Sequence, residues 1–251
     1  MRVIAVINQK GGVAKTTTTA NLGHALAMNG ERVTLLDLDP QGHLGIYMGV
    51  HDRKSPGIEQ VLLDDMSLNE VILNVRDNIM LVPAGARLDR IEQLTTERMI
   101  ITKRLKTAIE ILQNKTDYLL IDCPPSSGLL VILALYSCHE VLIPVNGDYL
   151  SLQGVSHFLG NLKNIENILA RHINFQLVLT RFHPRRRLAR SIIEKLLEYF
   201  PGKILATPIR SAAALAEAPS FGKTIFEYAP RSSASDDYSA LAKDLEYGRV
   251  M

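Results

Sequence analysis

Apolar, largely β-branched runs recur along the chain at Val3 to Ile7, Val33 to Leu36, Ile79 to Val82, Tyr118 to Ile121, Val141 to Val145 and Phe175 to Leu179. They are continuous rather than alternating, which predicts strands covered on both faces. Between them lie stretches with helical spacing, at Thr17 to Met28, Arg98 to Gln113, Leu129 to Ser137, Leu152 to Leu169, Leu188 to Tyr199 and Ala234 to Leu245. Strands alternating with helices predict an α/β fold, a doubly wound, mostly parallel sheet with helices on both faces, formed by residues 1–251 as a single domain. Ligands of such sheets bind at the carboxyl ends of the strands, so the chemistry is sought there.

The first of these ends carries Asn8-Gln9-Lys10-Gly11-Gly12-Val13-Ala14-Lys15-Thr16-Thr17-Thr18, between a strand and a helical pattern that opens near Thr16. A glycine-bearing loop in that setting reads as a phosphate-binding loop. Its backbone N–H groups and the positive end of the helix dipole surround the phosphates of ATP or GTP, and Lys15 adds a full charge. Threonines continue to Thr19. β-branched residues are mediocre helix formers, so a run of them opening a helix implies hydroxyls with partners, Mg²⁺ for Thr16 and an α-phosphate for Thr17. The second strand ends in Asp37-Leu38-Asp39-Pro40-Gln41-Gly42, where the period of two puts both aspartates on one side. Asp122 closes the later run Leu119-Leu120-Ile121 and is suited to holding Mg²⁺ through water.

Together these segments resemble the ParA/MinD family of ATPases. In the common phosphate loop Gln9 and Ala14 would both be glycine; here a second lysine, Lys10, stands five residues before Lys15, as in that family's deviant Walker A motif. The resemblance implies that Lys10, Gly11, Gly12, Val13, Ala14, Lys15, Thr16 and Thr17 bind ATP. It further implies that Lys10 reaches across a dimer interface to the partner's nucleotide, and that Thr16 and Asp122 hold Mg²⁺. Asp39 stands in a segment that resembles the family's D-x-D-P-Q, which implies that it helps position or activate the attacking water, with Asp37 supporting the metal or Lys15. Ala14 requires either a negative φ or a little accepted strain. Thr207-Pro208-Ile209-Arg210 and Leu215 to Lys223 resemble a signature of partition ATPases that covers the adenine, which implies a base contact for Pro208. The resemblance runs from residue 2 to about residue 246.

Composition narrows the setting. A hydrophobic share of 47% with 22% charged residues is that of a globular protein, and no apolar stretch approaches the roughly 20 residues of a membrane span. The first strand begins almost at Met1, so a cytoplasmic location is expected, nucleoid-associated on the resemblance. Cys123 and Cys138 lie in or beside apolar runs and form no C-x-x-C pair, which predicts buried packing. A net charge of +2 means that nucleic acid must be attracted by a local cluster. One exists, with five arginines in residues 181–190. Arginine's planar fork suits phosphate oxygens, so Arg185, Arg186, Arg187 and Arg190 are candidates for nonspecific DNA binding, and the resemblance to partition ATPases implies Arg210 as well.

The resemblance thus implies an ATP-dependent homodimer that rides DNA and positions cargo, with slow hydrolysis stimulated by a ParB-like or cargo-adaptor protein. MinD-like membrane attachment needs a terminal amphipathic helix with a basic face. Here Asp236, Asp237, Asp244 and Glu246 outweigh Lys243 and Arg249, so no membrane partner is expected. A ligase resembling dethiobiotin synthetase shares the fold and a similar loop, and would need a small-molecule pocket.

Overall fold

The structure is a computed structural model that describes the chain except Arg53, Lys54, Thr95, Asp148 and Arg186, with backbone alone for residues 149–153 and 187–190. The chain runs β1 (Arg2–Val6), α1 (Lys15–Met28), β2 (Val33–Asp37), α2 (His43–Tyr47), α3 (Ile58–Leu63), α4 (Leu68–Val71), β3 (Leu73–Arg76), β4 (Ile79–Val82), α5 (Asp89–Glu92) and α6 (Arg98–Glu110). It continues with β5 (Tyr118–Asp122), α7 (Leu129–Ser137), β6 (Glu140–Asn146), α8 (Tyr149–Leu169), β7 (Asn174–Thr180) and α9 (Arg187–Tyr199). After α10 (Ala213–Glu217) a 3₁₀ turn (Ala218–Phe221) leads to α11 (Ile225–Tyr228) and α12 (Ser233–Tyr247).

Seven strands form one sheet in the order β3-β4-β2-β5-β1-β6-β7. All neighbours are parallel except β3 and β4, which are antiparallel. The doubly wound expectation is met, and the reason lies in the alternation within each apolar run. Val3 and Ala5 of β1, with Leu119 and Ile121 of β5, enter a core beneath α6, α7 and α8, whereas Ile4, Val6, Tyr118 and Leu120 enter a second core beneath α1 and α12. A strand with helices on both faces has no solvent side, hence the unbroken runs.

The edge strand β3 and the short helices were not apparent from the pattern. Leu73-Asn74-Val75-Arg76 alternates apolar and polar and remains half-exposed, as an edge strand does. It turns into β4 through Asp77-Asn78, with Asn78 at φ 59, a left-handed turn that Asn tolerates. That dipeptide between two short apolar runs was the available hairpin signal. Among the described residues, no helix is long and apolar enough to cross a membrane.

Candidate nucleotide site

Parallel register assembles the site. Asp122 pairs with Val6 of β1 on one side and with Asp37 of β2 on the other, so the phosphate loop and both carboxylate segments leave one edge of the sheet. Asn8 donates its Nδ2–H to the Pro144 carbonyl at 2.8 Å and accepts from the Lys10 N–H at 2.9 Å. On the far side the Thr180 hydroxyl donates to the Val13 carbonyl at 3.0 Å. The loop is thereby clamped to β6 and β7. Gly12 has φ 72, and Ala14 has φ 68 with ψ 36. The second of the two sequence possibilities for Ala14 therefore holds: the chain accepts a left-handed alanine.

Ala14 is also the N-cap of α1, which has no side-chain cap and no acidic residue in its first turn. The orphan N–H groups and the dipole of α1 therefore meet a cavity of about 440 Å³ lined by Gly11, Gly12, Ala14, Lys15, Thr16, Thr17 and Asp39. Lys15 is buried and its Nζ donates to the Lys10 carbonyl at 3.3 Å. Lys10 lines neither this cavity nor its neighbour, and Val13 is buried beneath the loop. The neighbouring cavity, about 530 Å³, shares Ala14, Thr17, Tyr47 and Arg181 with the first and is walled by Ile209, Arg210, Ser211, Leu215 and Ala216. Pro208 lies just before that wall and does not line it.

Protein groups partner the hydroxyls of Thr17 and Thr19. Thr17 shares a hydrogen bond with the Tyr47 hydroxyl at 2.9 Å, and Tyr47 donates in turn to the Leu215 carbonyl at 3.1 Å. Thr19 donates to the Lys15 carbonyl at 3.1 Å and approaches Asp122 Oδ1 at 3.4 Å. The two aspartates of β2 part company. Asp37 is fully buried and accepts the N–H groups of Asp39 at 3.0 Å and Leu44 at 3.2 Å, which fixes the turn into α2. Asp39 caps the Gln41 N–H at 3.0 Å and faces the cavity.

Burial governs the electrostatics. It pushes the Asp122 carboxyl up to about 7, with Asp39 adding to the rise and the neighbouring Thr16, Lys15 and Thr19 opposing it. Burial and then Asp122 raise Asp37 well above the carboxylate range, and burial lowers Lys15 against the pull of Asp122 and Asp39. Asp122 Oδ2 is buried without a hydrogen-bond partner. A carboxylate crowded by others, with an orphaned oxygen beside a threonine at a helix start, fits Mg²⁺. Among the described residues no group of three His, Cys, Asp or Glu side chains could hold a metal alone.

Of the candidate DNA contacts, Arg185 is exposed, whereas Arg186 and the side chains of Arg187 and Arg190 lie outside the described residues. Arg210 is exposed but tied to the nearly buried Asp237, which takes its guanidinium at 2.6 Å and its backbone N–H at 2.9 Å. Asp244 likewise holds Arg249 at 3.0 Å, so two acids of the last helix anchor the chain rather than face water. Cys123 and Cys138 are buried thiols, as expected. Tyr47 and Arg181 were missed as site residues. Nothing local marks Tyr47, and Arg181 was absorbed in the basic run.

An uncapped helix behind a glycine loop, flanked by carboxylates at the ends of adjacent parallel strands, defines an α/β protein of the phosphate-binding-loop class. Residues 1–175 match the AAA domain family. The chain is 38% identical to the sporulation initiation inhibitor protein Soj of Bacillus subtilis over 97% of this chain and 98% of that one. It is 34% identical to the chromosome partitioning protein ParA of Myxococcus xanthus, over 97% and 87% of the two chains. The solved structure of cobyrinic acid a,c-diamide synthase from Mycobacterium smegmatis, with a bound ATP analogue and magnesium, superposes with a TM-score of 0.84 at 31% identity, covering 100% of this chain and 98% of that one. This chain belongs to the Soj/ParA family.

Proposed function

We propose that the chain is a partitioning ATPase, a switch that dimerises on ATP, binds DNA without regard to sequence and positions cargo. The observation that carries this is the convergence of Lys15, Thr16 and Asp39 on one cavity at the open end of α1, with Asp122 buried beside Thr16 and Thr19. The loop N–H groups and Lys15 hold the β- and γ-phosphates, and Asp39, at the cavity wall, orients the attacking water and draws on its proton. Thr16 and Asp122 hold Mg²⁺, which when bound offsets the phosphate charge. Lys10 completes the site of a second copy, so dimerisation follows ATP and hydrolysis reverses it. A ParB-like or cargo-adaptor protein speeds an otherwise slow reaction. DNA contacts come from Arg185, Arg186, Arg187 and Arg190, with Arg210 secondary because Asp237 already offsets its charge. The protein is placed in the cytoplasm on the nucleoid, without a membrane partner.

A second reading, an ATP-dependent small-molecule ligase, draws on the synthase named above. One experiment separates the two: binding to a long DNA of arbitrary sequence without nucleotide, with ADP, with ATP, and for Asp39→Ala with ATP, at two salt concentrations. Binding that needs ATP and weakens with salt, by roughly 0.9 in log K per log salt for each phosphate contact, supports the switch. No binding in any state, with ATP turnover driven by a metabolite, would favour the ligase.

A further inference from the structure

Arg181 stands apart from the arginines that follow it. It directly follows Thr180, whose hydroxyl is bonded to the phosphate loop at Val13. On its other side the Phe182 N–H donates to the Ile209 carbonyl at 2.9 Å, and the Ser211 N–H donates to the Phe182 carbonyl at 3.0 Å. One neighbour is thus fixed to the phosphate loop and the other to the wall of the second cavity. Between these clamps Arg181 adopts φ 50, a left-handed conformation that costs an L side chain strain. Strain of this kind persists where the surroundings enforce it, which is commonly at functional sites. The enforced result is a residue that lines both cavities at the waist shared with Ala14, Thr17 and Tyr47. Arg210 spends its guanidinium on Asp237, and Arg76 on Glu227. No carboxylate among the described residues forms an ion pair with Arg181.

We propose that Arg181 is a nucleotide-binding residue whose guanidinium holds the phosphate next to the ribose. This rests on reading the first cavity as the phosphate site and the second as the base site. The deep end of the first belongs to Lys15, so the waist is where the α-phosphate and ribose pass. Thr17, expected on the α-phosphate from its place in the loop, is a waist residue too. A planar cation beside a phosphate makes two charge-assisted bonds, which lysine or glutamine does not reproduce.

The test is titration of ATP, ADP, AMP and adenosine, each with Mg²⁺, into the wild type, Arg181→Gln and Arg181→Gly, together with nucleotide-free unfolding and DNA binding. Both variants should lose roughly tenfold or more in affinity for ATP, ADP and AMP, with adenosine unchanged. Arg181→Gly should at the same time unfold at higher denaturant than the wild type because the backbone strain is released. A merely structural residue would not move binding and stability in opposite directions. Unchanged ATP affinity in Arg181→Gln overturns the proposal, and if DNA binding falls instead, the residue belongs to the basic patch. An equal loss for adenosine also overturns it in favour of a base contact. A wild type that binds no adenine nucleotide would remove the underlying site reading, and Arg181 with it.

Discussion

Ala14→Gly isolates one backbone conformation. Ala14 sits at φ 68, ψ 36 in the turn that aims the first N–H groups of α1 into the cavity, and its carbonyl accepts the Thr18 N–H at 2.9 Å. A left-handed conformation costs an L residue roughly 1–2 kcal/mol, a penalty that glycine avoids. Glycine returns about 0.4–1 kcal/mol of this through the greater freedom of its unfolded chain. The net expectation is a gain of about 1 kcal/mol, or roughly 2–4 °C in melting temperature for a chain of this size. Urea unfolding of the nucleotide-free protein should show a higher midpoint at an unchanged slope. Nucleotide affinity should hold or rise slightly, since the turn the loop needs becomes the relaxed one. Ala14→Val serves as the converse and should lose stability, because β-branched residues are poorly tolerated at positive φ. A glycine variant equal to or weaker than the wild type would refute the account of a strained loop.

Three further outcomes are expected. The raised Asp122 and Asp37 carboxyls bind protons that the unfolded chain releases above about pH 4. The stability this gives is complete below the ordinary carboxyl range and is lost as pH rises through about 7, so nucleotide-free protein should melt lower at pH 8 than at pH 5. Asp122→Asn should flatten that profile while abolishing Mg²⁺-dependent ATP binding, and an already flat wild-type profile would show that the carboxylates are not crowded. Tyr47→Phe removes the hydroxyl that joins Thr17 to Leu215 and should cost about 1 kcal/mol in urea unfolding, with ATP affinity down a few-fold. Full ATP affinity in that variant would show that the tie does not shape the site. Lys10→Ala should bind ATP yet stay monomeric by light scattering, and normal ATP-dependent dimers would refute the cross-subunit role.

The strands, the long helices and the phosphate loop were legible because each is written in adjacent residues. The continuous runs of β1, β2 and β5 declare burial on both faces, and glycine and lysine at fixed spacing declare an anion site. Where the pattern is short or mixed, as in β3 and the helices of four to six residues, local preference is too weak to show without the neighbours that stabilise it. Asp37 and Asp39 illustrate the same limit at the site. Their period of two puts them on one side of an extended chain, but the turn into α2 spends Asp37 on backbone N–H groups and leaves Asp39 at the cavity.

From its sequence alone the chain is a doubly wound α/β protein with a lysine-rich phosphate loop and acids at strand ends, because these follow from periodicity and local spacing. Only the tertiary structure placed β5 between β2 and β1, so that Asp37 and Asp122 share a register and Asp122 adds to the rise of the buried Asp37 carboxyl. It also gave Arg210 to Asp237 and set Arg181 at the waist between two cavities. The physical reason is that charge partners and the sign of φ at a clamped residue depend on contacts far apart along the chain, and no short window of sequence contains both sides of such a contact.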